Sequence, residues 1–253
     1  MKMNAVKDLS IDKSKWTLVK FGDVAYEPKE SVKDPKAERI EHVVGLEHIE
    51  PENIHLTRSD SLEQSTTFTK KFSVGDVLFG RRRAYLKKAA QASFAGICSG
   101  DITVIRANEN LLPELLPFVV QNEKFFDYAV KHSAGGLSPR VKFKDLANYE
   151  FLLPPKDQQT KLSELLWGVD AVVEKEKALL SRASDFRLVE SEALLMGEKR
   201  VLGFGKSEMT QKVKMGHVPK SWGVYKLKEL LSGKMLGGNY GRCQESCRFF
   251  NSL

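Results

Sequence analysis

Between Lys70 and Lys88 the sequence sets seven cations, Lys70, Lys71, Arg81, Arg82, Arg83, Lys87 and Lys88, against one carboxylate, Asp76. Guanidinium groups bond phosphate oxygens as a fork, and the same fork fits the two acceptors that guanine shows in the major groove. Phe79 and Tyr85 are interleaved with these cations. A second segment, 135–144, joins Gly135 and Gly136 to the Ser138 hydroxyl and to Arg140, Lys142 and Lys144. The glycines let the backbone approach a ligand closely. The alternating cations would share one face if the segment were a strand. Arg81, Arg82, Arg83, Lys87, Lys88, Ser138, Arg140 and Lys142 are therefore the candidate residues for binding a polyanion. The alternative is a solvated face for the first segment and a surface loop closing a hairpin for the second.

Other chemistries find less support. Gly205-Lys206-Ser207 has the end of a phosphate-cradling loop, but Arg200 stands where that loop requires its first glycine. Leu153-Pro154-Pro155-Lys156 lacks the amide or carboxylate and the aromatic ring with which adenine methyltransferases hold a base. No glycine-rich strand–turn–helix for a nucleotide cofactor is present. Cys243 and Cys247 have no second ligand pair, and His42, His48, His55 and His132 show no metal or triad spacing. Neither a catalytic residue nor a cofactor or metal site is expected in this chain.

Short β-type runs such as Asp76–Phe79 and Ile102–Ile105 are bounded by Gly75, Gly80 and Gly100, as strands are. Leu115 to Val130 reads as one helix, 133–139 as a turn-rich loop, and 151–153 as a last strand stopped by two prolines. Residues 10–155 thus predict an α/β (α+β) domain with a mixed sheet. The cation-bearing segments sit at its strand ends and turns.

Residues 156–197 have a different character. Leu165, Val172, Leu179, Phe186 and Ala193 recur every seven residues, with Leu162, Val169 and Ala183 at companion positions. No proline interrupts them, so the segment predicts a long amphipathic helix of coiled-coil type, about 60 Å long. Such a helix outruns a domain of this size and needs an apolar partner elsewhere. Leu165, Val172, Leu179 and Phe186 are the predicted subunit interface, and a homodimer through this helix is one way to cover them. Residues 198–214 read as a linker. Lys15-Trp16-x-x-x-Lys20-Phe-x-Asp23-Val24 is then echoed by Ser221-Trp222-x-x-x-Lys226-Leu-x-Glu229-Leu230, so 215–253 is expected to begin a second, truncated copy of the domain.

The net charge is +7, from 40 Lys+Arg and 33 Asp+Glu, which favours a polyanionic partner only mildly. Three cysteines and the absence of a signal-like apolar stretch point to a reducing cytoplasm, with no membrane partner.

Three stretches together resemble the specificity subunits of type I restriction–modification systems. They are Val74-Gly-Asp-Val-Leu-Phe-Gly-Arg-Arg-Arg83 with Cys98–Val104, then Gly135–Pro155, then Pro154-Pro-Lys-Asp-Gln-Gln159 with Leu162, Leu165 and Asp170. Gln158 stands where that family usually has Glu. The resemblance covers residues 16–197 and implies a target-recognition domain that reads half of a split site in double-stranded DNA. It also implies a helix that spaces the two halves and docks the methylation subunits. By the same resemblance, S-adenosylmethionine, ATP and Mg belong to partner methylation and restriction subunits, and this chain is not an enzyme. The alternatives are a DNA-cleaving enzyme of a fused restriction type and an interaction protein that uses its helix without binding DNA.

Overall fold

A computed structural model of the chain describes residues 12–62, 67–195, 199, 210–213, 216–220 and 222–230. The chain divides into two units, the boundary falling after Val173 inside the long helix. The first unit carries β1 (Thr17–Lys20), β2 (Ala25–Tyr26), β3 (Val43–Val44), β4 (His55–Leu56) and β5 (Lys70–Phe72). It continues with β6 (Val77–Gly80), β7 (Ala89–Ala92), β8 (Gly96–Cys98), β9 (Ile102–Ala107) and β10 (Glu150–Leu153).

The largest sheet has the order β2-β9-β6-β7-β4 and is antiparallel except where β4 runs parallel to β7. A three-stranded sheet, β3-β8-β5, pairs β3 parallel and β5 antiparallel to β8. Strand β1 pairs with β10 alone. The sheets are mixed, as the sequence predicts. Strand β6 is buried along its whole length. Its side chains alternate between two cores, as a period of two requires. Val77 and Phe79 join Phe21, Leu116, Phe125 and Phe126, while Leu78 joins Val44, Ile49, Phe72 and Val104.

Two local expectations are corrected. Leu115 to Val130 is two helices, α1 (Leu116–Val120) and α2 (Glu123–Lys131). The Asn122 side chain accepts a hydrogen bond from Lys124 N at 3.0 Å and caps α2, so a capping residue overrides the helical periodicity. Arg140, Lys142 and Lys144 do not alternate along a strand, because α3 (Phe143–Leu146) follows Lys142 directly. Val141 and Leu146 enter the same core, which a period of two forbids for residues an odd number apart.

Helix α4 runs from Lys156 to Leu195, close to its predicted bounds. Its first turns are fastened to the domain. Gln159 is buried, accepts from Leu112 N at 2.9 Å, and donates to the carbonyls of Asn110 and Pro154 at 3.1 and 3.0 Å. Gln158 accepts from the Trp16 indole at 2.7 Å. Trp167 donates to the Glu114 carbonyl at 2.9 Å and meets Phe118 edge-on, and His55 bonds Asp170 at 2.7 Å. Leu162 and Leu166 pack on the domain core, so Leu162 is an intramolecular contact rather than part of a free seam.

In the second unit β11 (Thr210–Val213) pairs antiparallel with β12 (Gly216–Pro219), and α5 (Leu227–Leu230) follows. Strand β11 lies inside the stretch read as a linker. The sequence echo has a structural counterpart: Lys20 N donates to the Asp23 carboxylate at 3.1 Å, and Lys226 N to the Glu229 carboxylate at 3.1 Å. Each bond closes one helical turn after the shared Lys. Residues 200–209 of the expected linker, and 231–253 with Cys243 and Cys247, lie outside the described residues. Among the described residues no helix is long and apolar enough to cross a membrane.

Candidate nucleic-acid interface

The end of β6 and the glycine loop meet side by side. Arg83 N donates to the Pro139 carbonyl at 2.8 Å and Val141 N to the Arg81 carbonyl at 3.0 Å, an antiparallel arrangement in which Arg82 faces Arg140. On the other side Arg81 N donates to the Asp101 carbonyl at 3.0 Å. The loop itself turns back where Ala134 and Arg140 exchange backbone bonds at 2.9 Å. Gly135, at φ +116°, occupies backbone space that side-chain-bearing residues avoid. Two segments proposed separately from sequence thus form one surface.

The side chains on that surface are linked. Asp101 accepts from Arg140 Nε at 2.8 Å and from Arg82 Nη1 at 3.3 Å. Burial pushes the Asp101 carboxyl up, but the hydrogen bonds and charges of Arg140 and then Arg82 outweigh it and hold it below the usual 3.8. Ser138 Oγ accepts from Arg82 at 3.2 Å and from Arg83 at 3.4 Å. The Nε groups of Arg81 and Arg82 are buried without a hydrogen-bond partner. Arg83, Arg140, Lys142 and Lys144 are exposed, and neither lysine forms an ion pair among the described residues. Leu137, at the tip of the loop, is 97% exposed.

The remaining cations of the cluster are engaged inside the protein. Lys87 bonds Glu123 at 2.7 and 2.8 Å and Glu52 at 3.3 Å, contacts that raise its pKa, with Glu123 the larger cause. Lys88 donates to the Leu46 carbonyl at 2.7 Å, and Lys70 to the Ile102 carbonyl at 2.7 Å and to Glu27 at 3.3 Å. Arg83 and Lys87, at φ 55° and 50°, bracket a turn that leaves Tyr85 exposed. The sequence presents these cations as one cluster, whereas the fold separates the exposed Arg83 from the braced Lys87 and Lys88. Sequence reading missed Asp101, whose signal is the Ser99-Gly100-Asp101 turn opening β9.

Other groups are structural. Asp76 of the Gly-Asp run is 1% exposed, forks with Arg106 at 2.7 and 2.8 Å, and accepts from Ser73 N at 2.7 Å. Arg106 also donates to Glu30 at 2.9 Å. Burial pushes the Cys98 thiol up to about 12, so it is a packing residue at neutral pH. Glu47, His48 and Asp60 converge, a grouping that histidine spacing did not reveal. His48 Nδ1 accepts from Gly45 N at 2.9 Å, which puts the proton of the neutral ring on Nε2, 3.4 Å from Asp60. That nitrogen serves a hydrogen bond better than a metal.

On α4 the four predicted interface residues, Leu165, Val172, Leu179 and Phe186, are all exposed, by 50–68%. Gly168 has open space where a side chain would begin.

No family profile matches the chain. Over 119 residues, 46% of its length, the chain is 28% identical to the specificity subunit of the type I restriction enzyme EcoDI of Escherichia coli. A solved structure described as showing complex assembly and conformational transition of the type I restriction–modification system superposes with a TM-score of 0.56 at 22% identity, over 78% of this chain. The chain is similar in sequence and fold to type I specificity subunits. The crystal structure of the HsdS subunit from Thermoanaerobacter tengcongensis is 26% identical over 73% of the chain, with a TM-score of 0.49. A mixed-sheet domain followed by one long helix is the fold that this chain shares with the first of those structures. The match spans 26% of the EcoDI subunit, and the chain spans 53% of the solved type I chain.

Proposed function

We propose that this chain is the DNA-reading half of a type I specificity subunit. It recognises a sequence in double-stranded DNA and leaves methylation and cleavage to partner subunits. The observation that carries the reading is the surface formed by Arg82, Arg83 and Arg140 with Ser138, on a domain with the specificity-subunit fold. Exposed guanidinium groups provide phosphate contacts and forked base contacts, and no chemistry on the DNA is required of them. S-adenosylmethionine, ATP and Mg belong, in this reading, to the methylation and restriction subunits.

The exposed residues Leu165, Val172, Leu179 and Phe186 support assembly through α4. A second copy packed antiparallel on that helix would place one recognition domain at each end and make the DNA half-sites inverted repeats. Co-expression with type I methylation subunits, followed by sequencing of methylated adenines, tests the reading. A bipartite, inverted-repeat site is expected. Absence of new methylation, together with salt-insensitive DNA binding by the purified chain, would overturn it. The fused-nuclease reading instead predicts metal-dependent cutting by the chain alone.

A further inference from the structure

Arg82 and Arg140 are direct partners across an antiparallel bridge, a position in which like charges repel. Asp101 lies between them and does more than cancel charge. It takes Arg140 through Nε alone, at 2.8 Å. Both terminal amino groups of Arg140 are then without a protein partner among the described residues. Those two nitrogens form the fork that fits a phosphate or a guanine. Arg82 is held at both ends, by Asp101 through Nη1 at 3.3 Å and by Ser138 through Nη2 at 3.2 Å. Two long side chains that would otherwise lose rotamer freedom on binding are oriented beforehand.

The same carboxylate works against binding in general. It removes one unit of positive charge from the middle of a polyanion-binding surface, and this penalty is the same for every DNA sequence. A surface selected for affinity alone would have a neutral residue there. We infer that Asp101 is a specificity-determining positioning residue, which weakens sequence-independent phosphate binding and fixes Arg82 and Arg140 for reading bases. This assignment rests on the DNA-reading function proposed above.

Asp101→Asn is the informative substitution. It keeps the side-chain shape, one acceptor for Arg140, and the backbone bonds from Arg81 N and to Ser99 Oγ at 3.0 and 3.2 Å. Two measurements on the full chain are compared with the parent. The first is affinity for an unselected pool of 30-base-pair random duplexes across a salt series. The second is enrichment of particular sequences from that pool in the bound fraction. The variant is expected to bind the pool about threefold tighter at 0.1 M salt, as loss of a nearby like charge to phosphate implies. Its enrichment of the preferred sequence should fall at least about tenfold, the scale of one forked base contact.

A variant that loses affinity and enrichment together would make Asp101 a structural brace only. One that gains affinity with enrichment unchanged would make it a bystander charge. Either result overturns the inference, provided that the parent binds DNA and selects sequences. A parent that shows no salt-dependent binding would overturn the DNA-reading function itself and this assignment with it. Should Asp101→Asn lower the melting temperature, Arg140→Gln tests the same claim. It leaves Asp101 on Arg82, and it must also reduce enrichment by more than it reduces pool affinity.

Discussion

Arg83→Ala and Lys87→Ala remove one positive charge each from a single turn, yet the structure predicts different effects on DNA binding. The Arg83 guanidinium is exposed, with one long bond, 3.4 Å, to a neutral hydroxyl. Lys87 is bound by Glu123 at 2.7 and 2.8 Å and by Glu52 at 3.3 Å, and must leave both carboxylates to reach a phosphate. Each neutralised phosphate steepens the fall of log K against log salt by about 0.9. One lost contact therefore costs about eightfold at 0.1 M salt and about fourfold at 0.2 M, relative to 1 M. Arg83→Ala should show that loss and a slope flatter by about 0.9, equally for all duplexes if the contact is to phosphate. Lys87→Ala should change affinity by less than about twofold, a long-range effect that salt screens, with the slope unchanged. Fluorescence anisotropy with a labelled duplex at five salt concentrations measures both quantities. Equal flattening by the two variants would refute the division between the exposed Arg83 and the braced Lys87.

Asp76→Ala should destabilise the domain by about 3 kcal/mol, the lower end for breaking a buried ion pair, because Arg106 keeps Glu30 as a partner. Urea denaturation measures it, and a loss below about 1 kcal/mol would mean that the pair is only as strong as an exposed one. The lowered Asp101 pKa gives a stabilising contribution that is full above the ordinary value of 3.8 and fades as pH falls through the folded-state value. The decline in urea midpoint on acidification should therefore be shallower in Asp101→Asn than in the parent. Leu179→Asp puts a carboxylate among the exposed apolar residues of α4. It should abolish association in light scattering and in pull-downs with methylation subunits while the domain's melting temperature is unchanged. Intact association would remove α4 as the assembly surface.

The elements with a strong periodic signal were legible in the sequence. Helix α4 was readable because forty residues without proline repeat one apolar pattern, and β6 because three consecutive apolar residues, Val77 to Phe79, sit between Gly75 and Gly80. Failures arose where one local rule competed with another. Asn122 satisfies a helical pattern and a cap equally well on paper, and the cap prevails because its side chain meets Lys124 N. Leu162 fits a heptad, yet in space it belongs to the domain, since the first turns of α4 are fastened there by Gln159 and Trp167.

The candidate site was legible as residue types and only partly as a place. Two basic segments more than forty residues apart were each ambiguous, because a solvated surface and a binding surface have the same composition. What separates them is long-range pairing: the bridge between Arg82 and Arg140 brings the segments together, and Glu123 removes Lys87 from the available charge. Asp101 stayed hidden for the same reason. The Ser99-Gly100-Asp101 turn marks where β9 opens, but the role of its acid emerges only when two arginines from different segments bond the same carboxylate. Charge composition therefore proposes a surface, whereas the pairing pattern decides which of its cations remain free to meet a polyanion.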